Sequence, residues 1–124
     1  MSSLRNLRKF KNITSRIQRV QDGPGTLYES VMPGETVTGA GYSYLEKFPQ
    51  NFMETTSHIS VDEFTRVVKL ETDITLLKRM GRVEAFGPNR EPVLRLLAAR
   101  IEMLENPRIR QENETGVGAA AGKK

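Results

Sequence analysis

Few side chains in this sequence have the type and spacing to make or break bonds, and each has a plainer structural reading. His58 is the single histidine. An imidazole titrates near neutral pH and can act as a general base. No nucleophile is marked out for it, however, and no HxxxH or HxxE spacing gives it a metal partner. Asp62 and Glu63 are adjacent carboxylates. Neighbouring helix positions point about 100° apart, so these two cannot face each other across a glycosidic bond. As acids in a first turn they suit the positive end of a helix instead. Gly39-Ala40-Gly41 is too short for a dinucleotide fingerprint. Gly122-Lys123 fails as a phosphate loop because Val117 and Lys124 stand where glycine and Ser or Thr are required. The sequence therefore predicts no catalytic residue, no metal ligand and no cofactor, and a protein that is not an enzyme.

Composition excludes more. Without cysteine there can be no disulfide and no thiolate metal site. No apolar run approaches the roughly 20 residues that span a bilayer, and no membrane partner is expected. Asn12-Ile13-Thr14 and Asn113-Glu114-Thr115 match the glycosylation sequon but mean little without a secretory signal. Hydrophobic residues make up 37% of the chain and the mean hydropathy is −0.48, low values for a chain that must also fill a core. The expectation is a small helical core carrying extended arms.

Charge is distributed unevenly. Residues 1–21 hold six Lys or Arg and no acid, whereas residues 22–59 hold five acids and only Lys47 as a base. Residues 60–106 balance eight acids with eight bases. Termini with this bias often contact an acidic surface.

The elements that would position these charges follow from periodicity. Residues 1–21 read as a basic amphipathic arm. Phe10, Ile13, Ile17 and Val20 share one face of a helix over residues 4–20, with Arg5, Arg8, Arg16 and Arg19 as a stripe beside it. Asp22-Gly23-Pro24-Gly25 should stop that helix. Residues 22–59 read as extended or weakly β. Strand-forming "TLYESVM" leads into a type II turn at Met32-Pro33-Gly34-Glu35, and "ETVT" can return as a second strand. Tyr42, Tyr44, Phe48 and Phe52 then form an aromatic belt around Pro49.

Residues 60–106 carry the clearest local signals. Ser60 and Glu63 form a capping box, with Ile59 and Phe64 as its hydrophobic staple. The helix they open should run to Gly81. A second should run from about Arg90 to Glu105, capped by Asn89 and ended by Asn106-Pro107. Val67, Leu70, Ile74 and Leu77 repeat the spacing of Leu94, Leu97, Ile101 and Leu104, which predicts an antiparallel helical hairpin over about 60–80 and 90–105. "RVEAF" between them reads as extended. Residues 107–124 lack periodicity and read as an extended tail. The predicted fold class is mainly α.

A small core with charged arms and an aromatic belt has surfaces it does not satisfy alone. The texture is similar to that of small bacteriophage virion proteins, without any motif to carry the likeness. It implies a structural subunit of a large assembly, located in a virion as capsid decoration, head–tail connector or tail component. Its partners would be other protein subunits, including copies of itself. The expected contact residues are Arg5, Arg8, Arg16 and Arg19 on the arm and Tyr42, Tyr44, Phe48 and Phe52 on the belt. The alternative is a cytoplasmic nucleic-acid-binding accessory using the basic arm. On this reading, Leu70→Asp should unfold the hairpin by burying an unpaired charge, and reversing the arm arginines should spare the fold.

Overall fold

The computed structural model describes residues 3–106, and the tail expected at 107–124 lies outside the described residues. The expected basic helix is absent: the segment forms a short 3-10 turn at Arg5–Leu7 followed by two strands, β1 (Lys9–Asn12) and β2 (Gln18–Gln21). Local chemistry explains the correction. Ile13, Thr14, Ile17 and Val20 are β-branched and stiff in a helix. Asn12 also competes with a helical backbone: its Oδ1 accepts from the Thr14 amide at 2.9 Å and the Thr14 hydroxyl at 2.7 Å. Its Nδ2 donates to the carbonyls of Arg16 and Val31. The sequon-like triplet is thus a turn whose asparagine is spent internally. Phe10 and Val20 are buried, but Ile13 and Ile17 are 46% and 54% exposed, so the helical face read from spacing does not exist.

β3 (Tyr28–Val31) pairs antiparallel with β2, Val20 lying opposite Glu29. β4 (Thr36–Thr38) follows a tight turn in which Gly34 has φ 83° and the Glu35 amide bonds the Met32 carbonyl. It does not return along β3. It pairs with β1, which is also paired with β5 (Phe52–Thr55), giving the order β4-β1-β5. Between β4 and β5 lies a 3-10 helical segment, Ala40–Lys47. Gly41 lets the loop after β2 approach it closely: a Cβ there would fall 1.5 Å from Asp22 Oδ1. Phe10, Val37 and Phe52 from the three-stranded sheet, Val20 and Val31 from the β2–β3 ribbon, and Tyr42 and Leu45 from the 3-10 segment form one apolar core.

The helical half has three helices, α1 (Val61–Val68), α2 (Ile74–Phe86) and α3 (Glu91–Glu105). Ser60 caps α1 as its sequence predicts, accepting from the Glu63 amide at 3.1 Å, and Ile59 and Phe64 are both fully buried. The helix then breaks where one continuous helix was expected. Asp73 starts a new one, its Oδ1 accepting from the Leu76 amide, while Glu71 accepts from the Asp73 amide. α2 passes through Gly81, so "RVEAF" is helical rather than extended. The turn falls at Gly87–Arg90, where Asn89 adopts φ 55° and Arg90, not Asn89, occupies the cap position of α3. Leu4, Phe64, Val67, Leu77, Met80, Val93 and Leu97 anchor the second core.

The described residues are 45% helical and 18% strand, so the fold is a mixture of α and β and not a mainly α hairpin. The predicted seam fails at its centre, since Leu70 sits in the α1–α2 break at 71% exposure. We therefore expect Leu70→Asp to alter stability by no more than about 0.5 kcal/mol, as surface changes do. Leu77→Ala, at a fully buried site, should cost about 2–5 kcal/mol. Urea midpoints of the two variants, compared with the parent, check both values.

Candidate functional site

Two polar clusters join the β half to the helical half. In the first, Glu54 of β5 is almost fully buried and lies opposite Phe10. Arg8 grips it with two bonds, Nε to Oε2 at 2.8 Å and Nη2 to Oε1 at 2.9 Å. Arg79 of α2 adds Nε to Oε1 at 2.7 Å. Glu46 receives Arg8 Nη2 at 2.6 Å. Burial pushes the Glu46 carboxyl up, but the hydrogen bond and charge of Arg8 outweigh it and hold the group below the usual carboxylate range. In the second cluster, Glu84 has no exposed surface. It accepts from Thr56 Oγ1 at 2.6 Å and from the amide, Nε and Nη2 of Arg90. Arg90 also donates to the carbonyls of Ile59 and Thr56. Burial raises Glu84, and these hydrogen bonds overcome it and leave the carboxyl low.

These carboxylates are engaged by arginines from other elements and clamp those elements together. His58 is similarly engaged. Its Nε2 lies 2.6 Å from the Leu7 carbonyl, which only accepts, so that nitrogen carries the proton. Among the described residues no group of three His, Cys, Asp or Glu is placed to hold a metal ion. No described helix is long and apolar enough to cross a membrane.

The residues expected to meet a partner are scattered by the fold. Arg8, Tyr42 and Phe52 are buried at 4%, 6% and 5% exposure. Arg8 also stacks over Phe10, and the Tyr42 hydroxyl donates to Glu29. Arg5 pairs with Asp73 at 2.8 Å. The arm arginines are therefore not equivalent: Arg8→Glu would set a further carboxylate beside Glu46 and Glu54. Arg16 and Arg19 remain exposed, on or beside β2. Tyr44 and Phe48 stay at the surface, edge to face with ring centroids 6.5 Å apart. The Tyr44 hydroxyl accepts from the Gln21 amide, which ties this pair to the ribbon.

The outer face of the ribbon is a surface that sequence reasoning missed. Val20 and Val31 point inward, and Arg19 and Tyr28 lie on the opposite side, the Arg19 guanidinium 5.6 Å from the Tyr28 ring centroid. Ile17, Leu27 and Met32 are exposed around them. The available signal was the β-branched and aromatic residues of "IQRV" and "YESV" on either side of a Gly/Pro turn. Comparison with known protein families, curated proteins and solved structures returns no match.

The second cluster makes a pH prediction with a definite sign. A carboxyl held low in the folded state stabilises the fold above the ordinary carboxylate range, and that contribution is lost as the pH falls through its lowered value. The parent should lose stability on acidification through and below the carboxylate range, and Glu84→Gln should show a flatter acid limb. Glu84→Ala should cost about 3 kcal/mol at pH 7, because Arg90 and Thr56 lose their buried partner. Denaturant midpoints between neutral and acid pH measure both effects.

Proposed function

We propose that the protein is a non-enzymatic structural subunit of a large assembly, docking on a neighbouring protein subunit through the outer face of the β2–β3 ribbon together with Tyr44 and Phe48. One observation carries this reading. Of the ten large hydrophobic side chains left exposed among the described residues, eight lie between Ile13 and Met53, and the helical half exposes only Leu70 and Phe86. The buried polar side chains of the described residues are all hydrogen-bonded, so this exposure is not the mark of a poorly satisfied fold. Aromatic residues, Met and Arg are enriched at protein interfaces, and Arg19, Tyr28 and Met32 supply these types on the ribbon. The partner surface that fits is apolar at its centre with acidic groups at its rim. We infer a bacteriophage virion as the setting, with the subunit as a capsid decoration, connector or tail component.

A second reading, nucleic-acid binding, has its own support. Lys9 and Lys11 lie on the β1 face opposite the buried Phe10, and their cross-strand neighbours are Thr36, Thr38, Met53 and Thr55, without an acid. Site-specific photo-crosslinking in the producing cell separates the two. With the crosslinker at Tyr28, the subunit reading predicts one discrete protein adduct in fast-sedimenting particles. The same group at exposed Arg66 on α1 should give none. Adducts to nucleic acid from position 28, or a chain that sediments as a monomer throughout with no adduct, would sink the docking proposal.

A further inference from the structure

We propose that the cleft between the 3-10 segment and α2 binds a small oligophosphate anion. This cleft, with a volume of about 390 Å³, is lined by five basic side chains and only two carboxylates, Glu46 and Asp73. Its basic groups differ in how far they are committed. Arg8 is buried and spent on Glu54 and Glu46. Arg79 gives Glu54 its Nε, also pairs with Glu46 at 3.4 Å, and keeps 27% of its side chain exposed. Arg5 is half-exposed and tied only to Asp73. Lys47 and Arg82 are exposed and form no ion pair among the described residues.

Lys47 and Arg82 therefore face one concave space without a structural ion pair, beside Arg5 and Arg79, which are ion-paired but partly exposed. Guanidinium groups match the geometry of phosphoryl oxygens through paired N–H donors, and lysine adds a compact point charge. A concave, partly desolvated wall strengthens that attraction relative to a flat surface. The cleft's size and polarity suit a linear chain of two or three phosphoryl groups. Tyr44, which also lines it, offers a ring beside them.

Asp73 gives the idea a distinctive sign. It competes with the anion for Arg5, yet it also caps α2. Asparagine caps a helix as well as aspartate does, so Asp73→Asn removes the competing charge and keeps the cap.

Isothermal titration of the full chain with inorganic tripolyphosphate at low salt tests this, with ATP, sulfate and a short thymidine oligonucleotide in parallel. Tripolyphosphate should bind, and more tightly than sulfate. Lys47→Gln with Arg82→Gln should weaken it at least about tenfold, since both lose charge-assisted bonds, without changing the ligand-free melting temperature. Asp73→Asn should tighten it several-fold. A preference for ATP over tripolyphosphate would identify a nucleotide as the source of the phosphates. The proposal is overturned by no binding, by equal binding of sulfate, by affinity unchanged in the Lys47/Arg82 double variant, or by a tenfold preference for the oligonucleotide.

Discussion

The structure depends on one buried carboxylate. Glu54 lies in an edge strand, directly across from Phe10, on the face that should be apolar. Left alone there, an ionised group would be prohibitive. Arg8, from the same buried face of the N-terminal segment, and Arg79, from α2, make it tolerable. A buried ion pair of this kind adds little net stability compared with apolar packing, but removing one partner leaves the others stranded. Its value is in specification. A one-residue slip of β5 against β1 would turn Glu54 to solvent and Met53 inward, separating the carboxylate from both arginines. The ion cluster and the apolar alternation therefore select the same register.

That arrangement explains why two separate cores behave as one molecule. The sheet core and the helical core share few apolar contacts, and the seam between them is largely polar: Arg8 and Arg79 on Glu54, Arg90 and Thr56 on Glu84, His58 on the Leu7 carbonyl. Arg90 serves three roles at once, satisfying Glu84, taking up carbonyls that precede α1, and lying over the Phe64 ring. Polar seams are directional, so they fix how the halves meet while leaving the outer faces free. The β half uses that freedom to expose its ribbon, and the helical half closes over its own apolar face.

Legibility followed the distance between interacting groups. The Ser60 cap, the Ile59–Phe64 staple, the turn at Gly34 and the end of α3 at Asn106 were all readable, because each is decided within about four residues. The break at Asp73 was equally local and was overlooked: a helix-long apolar repeat masked an Asp that caps. The N-terminal segment was misread for a different reason. Phe10, Ile13, Ile17 and Val20 satisfy a helical period by coincidence, and the competing evidence lay in Asn12 and Thr14, whose side chains close a turn. Of the expected contact residues, Arg16, Arg19, Tyr44 and Phe48 remain at the surface, whereas Arg8, Tyr42 and Phe52 were drawn inside.

By itself the sequence determined the start of α1 at Ser60, the end of α3 at Asn106 and the turn at Gly34. It also ruled out disulfides and thiolate sites. Only the tertiary structure decided which strands pair, which arginines become structural, and which apolar side chains stay outside. Arg8 meets Glu54 across 46 positions and Thr56 meets Glu84 across 28. Such partners are chosen by the closure of the whole chain, because burying a charge is favourable only once the opposite charge has arrived at the same place.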